Sequence, residues 1–91
     1  MTTLTKTKKR LVFKLHAPEA GEVFVAGTFN NWDAQTRPLK RDAKGTWTTW
    51  MSLPAGIYEY RFVVDGVWQE DPACEDRSLN PHGDYNSVVN L

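Results

Sequence analysis

Cysteine is nearly absent: Cys74 is the only one in 91 residues, so no disulfide can form within the chain. A small secreted scaffold stapled by cystines is therefore not indicated, and a cytoplasmic protein is the expectation. Long apolar runs are missing too. No segment approaches the roughly 20 residues of a membrane span, and Met1 to Arg10 lacks the apolar core of a signal peptide. Membrane partners are not expected. Histidine is scarce, with only His16 and His82, and neither has a nucleophile at motif spacing. There is no glycine-rich phosphate loop and no zinc-ligand spacing, so neither cofactor nor metal is expected. No stretch of useful length carries a helical apolar period.

Net charge is zero, but it is uneven. Lys6, Lys8, Lys9 and Arg10 fall in the first ten residues, which leaves seven basic against eleven acidic residues from Leu11 onward. An acidic body argues against nucleic acid as a partner. Residues 1–10 read as a disordered basic arm, and 11–91 as one folded domain and a monomer.

What is present is a series of short alternating runs separated by turn signals, the pattern of an all-β sandwich. Leu11, Phe13 and Leu15 alternate with Val12, Lys14 and His16. Residues 22–27 form a second run with Val23 and Val25 inward. Residues 42–45 make a turn before a strand over 46–53. The clearest strand covers 57–64, with Tyr58, Tyr60, Phe62 and Val64 on the core face and Glu59, Arg61 and Val63 opposite. Asp65-Gly66 is a two-residue hairpin signal, since both residues tolerate positive φ. Residues 70–84 are loop-rich, and 86–91 read as a closing strand. If the turn at Pro54-Ala55-Gly56 closes a hairpin with Ser52 opposite Ile57, then Trp47, Thr49, Met51 and Leu53 face inward. Trp50 then faces outward, opposite Glu59 and beside Arg61.

Several polar and aromatic residues stand out. Trp32 follows Asn30-Asn31 in a polar segment; it either caps the sandwich end or offers its ring to a ligand. Trp68 lies just past the Asp65-Gly66 turn; it either packs across the strands or joins Trp32 in a binding surface. Flat rings stack on the apolar C–H face of a pyranose, and amides and guanidinium groups bridge its hydroxyls. Arg61 can fork across two hydroxyls or pair with Glu59 or Glu70. Asn86 can serve a vicinal diol or act as a turn former. Glu70, Asp71, Glu75 and Asp76 sit together in one loop, where a solvated acidic surface is favoured over a glycosidase pair. Asp76, Asn80 and Asp84 lack the repeated spacing of a calcium loop.

Four phrases occur in order: Gly-Thr-Phe-Asn-Asn-Trp at 27–32, Leu-Pro-Ala-Gly-Ile-Tyr-Glu-Tyr-Arg-Phe-Val-Val-Asp-Gly-Val-Trp at 53–68, Asp71-Pro72, and Asn86-Ser87-Val88-Val89. Together they resemble carbohydrate-binding module family 48. That family includes the glycogen-binding domain of the AMP-activated protein kinase beta subunit and the N-terminal domains of isoamylases and branching enzymes. The likeness runs from about Phe13 to Leu91. It implies an immunoglobulin-like early-set β-sandwich of two antiparallel sheets that binds α-1,4-linked glucans such as glycogen, starch or maltooligosaccharides without cleaving them.

By motif, the resemblance implies that Trp32 and Trp68 stack on successive glucoses and that Arg61 and Asn86 bond their hydroxyls. The kinase domain has Lys at the position of Arg61 and an apolar finger at the position of His82, so both positions depart from it. Trp50, outward by parity, is expected to be covered by the aliphatic stem of Arg61, by a partner subunit, or by a longer glucan that extends the sugar site by one subsite. The partners implied are an α-glucan and, as an adaptor, a glucan-active enzyme or kinase complex. The rival expectation is a structural or protein-interaction domain with little sugar affinity.

Overall fold

The computed structural model describes residues 8–91. The expected arm over 1–7 therefore lies outside the described residues. Lys8, Lys9 and Arg10, expected in that arm, are instead the opening residues of the first strand, β1 (Lys8–His16). They hydrogen-bond along β4 (Thr46–Pro54), with Lys8 opposite Pro54 and Arg10 opposite Ser52. The run of cations reads as disorder by composition, but the nine-residue β4 supplies a pairing edge long enough to hold it.

Among the described residues, eight strands make two antiparallel sheets, as the alternating pattern predicts. The smaller sheet has the order β1-β4-β3, where β3 is the short Lys40–Arg41. The larger has the order β2-β5-β8-β7, with β6 also paired to β5. Its members are β2 (Val23–Gly27), β5 (Ile57–Val64), β6 (Val67–Gln69), β7 (Arg77–Leu79) and β8 (Tyr85–Asn90). The brief β7 lies inside the stretch expected to be loop. It is too short to show a period, and its pairing to β8 defines it.

The core lies between the sheets. Phe13, Leu15, Trp47 and Met51 come from the smaller sheet, and Val23, Val25, Tyr60 and Phe62 from the larger. Phe13 sits at the centre, with its ring 4.9 Å from Tyr60 and 5.5 Å from Phe29. The indole nitrogen of Trp47 donates to the Ala17 carbonyl at 2.8 Å, which satisfies its one polar atom. Trp47, Tyr60 and Phe62 are thus core residues, as the alternation predicts.

The turn at 54–56 differs from the expected hairpin. It carries the chain from β4 in one sheet to β5 in the other. Ser52 pairs with Arg10 rather than Ile57, and Trp50 pairs with Val12 rather than Glu59. Leu91 exchanges both backbone hydrogen bonds with Gly56 at the crossing. A sheet-to-sheet crossing and a hairpin share the same short turn chemistry, so local sequence does not separate them. The inward set survives because parity along β4 depends only on which face meets the core.

Two turns are strongly specified. Asp65 and Gly66 take φ of 48° and 83°, the left-handed pair that joins β5 to β6. The Asp65 carboxylate also accepts from the backbone N–H groups of Gly21 and Glu22, both at 2.9 Å, and so ties this hairpin to the start of β2. The Asp42 carboxylate accepts from the N–H of Lys44 and of Thr46, at 2.8 and 3.0 Å. These bonds, Thr46 foremost, hold its pKa below the ordinary carboxylate value.

Candidate functional site

The outer face of the larger sheet builds a concave site. Glu59 and Arg61 project from β5 on the side away from Tyr60 and Phe62. Asn86 opens the matching face of β8, while its neighbour Ser87 points inward and is fully buried. Trp68 sits on β6 directly opposite Val63. Trp32 arrives from the segment after β2. A cleft of about 600 Å³ is lined by Trp32, Trp68, Arg61, Asn86 and His82. Five of the six residues singled out in the sequence therefore converge.

Trp50 is the exception. It lies on β4 in the smaller sheet, away from the cleft and from Arg61. Its ring is half exposed, as parity predicts, and the guanidinium of Arg10 lies over it at 4.1 Å. An arginine covers the indole, but it is Arg10 from β1. The expected place beside Arg61 depended on the hairpin that the fold replaces.

Trp32 is held by unusual backbone. Thr28–Asn30 form one 3-10 turn, after which Asn31 and Trp32 both take left-handed φ, 55° and 59°. Left-handed φ is uncommon for a bulky residue, and the segment around it is tightly bonded. The Trp32 N–H donates to the Gly27 carbonyl at 2.9 Å. The Asn30 side chain accepts from the Gly27 N–H at 3.0 Å and donates to the Asp33 carbonyl at 3.2 Å. A Cβ on Gly27 would collide with the Glu59 carbonyl and the Phe29 ring. Glycine at 27 and asparagine at 30 thus serve to aim the indole.

The two indoles meet. Their ring centroids are 6.5 Å apart and their planes are tilted by 43°. Trp32 is half-buried and Trp68 is 40% exposed. Neither belongs to the inter-sheet core.

The polar wall is a connected network. The Asn86 amide is buried; it donates to Glu59 Oε1 at 3.0 Å and accepts from the Asn80 side-chain amide at 3.2 Å. Asn80 Oδ1 in turn accepts from the backbone N–H of His82 and of Asp84, at 2.9 and 3.1 Å. Asn86 is therefore a cleft residue fixed on both sides and not a turn former; Asn80 forms the turn. Arg61 pairs with neither Glu59 nor Glu70. Its Nη1 lies 3.4 Å from the Asp84 carboxylate, and its buried Nε–H has no partner among the described residues.

Thr28, Glu59, Asn80, Pro81 and Asp84 also line the cleft, and sequence reasoning did not name them as site residues. Outward parity with Arg61 marks Glu59. The other four depend on loop paths that carry no period.

The acidic loop behind the site is structural. The Tyr60 hydroxyl donates to Asp71 at 2.6 Å, and the Asp71 N–H donates to Ser87 Oγ at 3.0 Å. Burial, reinforced by Asp71, pushes the Tyr60 hydroxyl pKa far up. Glu70 pairs with Arg77 at 3.3 Å. Among the described residues, no group of three or more His, Cys, Asp or Glu is arranged to hold a metal, and no helix is long and apolar enough to cross a membrane.

Comparison with known proteins adds relatives. The chain is 38% identical over 73 residues to Protein FLOURY ENDOSPERM 6, chloroplastic, of Oryza sativa subsp. japonica, covering 80% of this chain and 14% of that protein. It is 45% identical over 51 residues to SNF1-related protein kinase regulatory subunit beta-2 of Arabidopsis thaliana, covering 56% and 17%. It is 38% identical over 70 residues to 5'-AMP-activated protein kinase subunit beta-2 of Homo sapiens, covering 77% and 25%. The chain thus spans no more than a quarter of the length of these three relatives. A family match extends further along the chain, over residues 10–91, and by it the chain belongs to the family described as the glycogen recognition site of AMP-activated protein kinase.

Proposed function

We propose that this domain binds α-1,4-linked glucans, such as glycogen, starch or maltooligosaccharides, in the cleft between Trp32, Trp68 and the Arg61–Asn86 wall, without chemistry of its own. The observation that carries the reading is the pair of accessible indoles tilted by 43° beside a hydrogen-bonding wall. An α-1,4 linkage turns each glucose relative to the last, so the chain curves. Two rings inclined to each other suit successive faces of such a chain better than those of a flat ribbon. The wall offers both donors and acceptors, as ring hydroxyls require. Membership of a glycogen-recognition family supports the same ligand class.

The cleft's carboxylates face Arg61 and Asn86, which supports a binding role over a catalytic one. The role that follows is an adaptor that holds an attached or associated protein on a glucan. The kinase-subunit names of two relatives support a kinase complex as one such partner.

Tryptophan fluorescence and calorimetry during a maltoheptaose titration test the reading, with a β-1,4 oligomer of equal length as the control. Saturable binding of the α-1,4 oligomer, with little or none of the β-1,4 oligomer, is expected. No interaction with maltoheptaose, or equal affinity for both, overturns it.

A further inference from the structure

The charge inventory of the cleft is lopsided. Among the described residues, Glu59, Arg61 and Asp84 are its charged residues, His82 is its only other ionisable group, and no lysine lines it. The wall therefore carries one excess negative charge. Two of its donors also face carboxylates: Arg61 Nη1 lies 3.4 Å from Asp84, and the Asn86 amide donates to Glu59 at 3.0 Å.

We infer that this cleft discriminates between glucans by charge and rejects chains that bear phosphate esters. The inference rests on the glucan-binding reading above. A hydroxyl both donates and accepts. It can enter beside either pair, give its proton to Glu59 or Asp84, and accept from Asn86 or Arg61, so that every group stays partnered. A phosphate ester carries about −1.5 to −2 charges near neutral pH and acts as an acceptor. At the same place its oxygens face carboxylate oxygens with no proton to share. Arginine is ordinarily a good phosphate partner, but here Asp84, 3.4 Å from Nη1, offsets its charge and competes for it. The side chain of Arg61 is only 12% exposed, which strengthens the effect of its partner's charge, whereas Asp84 is 60% exposed. Unfavourable like-charge contact is a general means of excluding a competing ligand.

The test compares maltoheptaose with maltoheptaose carrying a 6-phosphate on an internal glucose, by calorimetry on the native protein and on Asp84→Asn. The native protein is expected to bind the phosphorylated chain about ten-fold or more weakly, and the gap should narrow as salt screens the site. Asp84→Asn, checked for folding by circular dichroism, should close most of the gap, read as the ratio of the two affinities within each protein. Equal or tighter binding of the phosphorylated chain by the native protein overturns the inference and leaves the glucan reading standing. An unchanged ratio in Asp84→Asn also overturns it, since the carboxylate is then not the cause. Failure to bind either chain overturns the glucan reading itself, and this inference with it.

Discussion

Trp32 and Trp68, thirty-six positions apart, bring their rings to 6.5 Å at the rim of the cleft, one from a left-handed loop and one from a hairpin strand. Neither ring belongs to the inter-sheet core, so each can be removed without a large void there. Trp32→Ala and Trp68→Ala should each weaken maltoheptaose binding by about 1–3 kcal/mol, the range for aromatic stacking of flat ligands. Because the rings touch, the double variant should lose less than the sum of the two. Calorimetric titration of the three variants checks both points, and thermal midpoints close to native show that binding alone was lost.

Gly27 should be intolerant of a side chain for a reason felt at the binding site. A Cβ added there would meet the Glu59 carbonyl on β5 and the Phe29 ring. Gly27→Ala must push either the strand edge or the turn that aims Trp32. Destabilisation of about 1–3 kcal/mol is expected from the overpacking, with loss of glucan affinity in whatever fraction remains folded. Denaturant unfolding gives the first quantity and titration of the folded variant gives the second. Native stability in Gly27→Ala would refute the packing argument.

Asn80 was not visible as a site residue in the sequence, yet it joins the His82 loop to the Asn86 amide. Asn80→Ala removes three hydrogen bonds at once and frees the amide of Asn86 to turn. Affinity for maltoheptaose should fall several-fold, by about 1–2 kcal/mol on the usual worth of such bonds. Asn80→Asp keeps the acceptor for the two backbone N–H groups and loses the donor to Asn86. If loop order is the main contribution, Asn80→Asp should recover most of the loss; if the amide orientation is, it should not. Affinity unchanged in both variants would remove Asn80 from the site.

These residues also show where the sequence was legible. Period-two alternation identified β5 and its two faces, because Tyr60 and Phe62 must meet the core and Arg61 must then face out. The Asp65-Gly66 hairpin was legible because only a few residues accept its paired positive φ. Strand partners were not legible. Nothing local at Pro54-Ala55-Gly56 says that β4 pairs with β1, whose partners lie 30 to 46 residues earlier, and not with β5 next to it. The site followed the same division. Residues on strands, such as Arg61 and Asn86, were found from parity or by motif, while Thr28, Pro81 and Asp84 reach the cleft through loop paths.

Stability should depend on pH at both extremes, with opposite causes. The Asp42 pKa is lowered in the fold by N–H donors from Thr46 and Lys44. Its contribution is present above the ordinary carboxylate value and is lost as pH falls through the lowered one. Tyr60 is the reverse case. Its raised pKa means that the fold holds the neutral phenol, so stability is complete below the unfolded value of about 10 and declines as pH rises above it. Urea midpoints across pH should show a weaker acid dependence in Asp42→Ala and a weaker alkaline dependence in Tyr60→Phe. Profiles parallel to native at both ends would contradict the assignments.

Trp50 gives the sharpest separation between sheet and site. Parity places its ring outside, and pairing with Val12 places it on the sheet opposite the cleft. The Arg10 guanidinium at 4.1 Å already covers one face, a contact worth about 0.5–1 kcal/mol where solvent reaches it. A glucan lying across Trp32 and Trp68 follows the outer face of the larger sheet and does not reach the smaller one. Trp50→Ala should therefore leave affinity unchanged across a series of maltooligosaccharides of increasing length. Thermal stability should fall slightly, and Arg10→Ala should produce a similar, non-additive fall, because the two substitutions remove one shared contact. Double-mutant analysis of unfolding free energies measures that coupling. A loss of affinity confined to the longest chains would mean that the glucan wraps around the sandwich edge to the second sheet, and the single-face site would have to be redrawn.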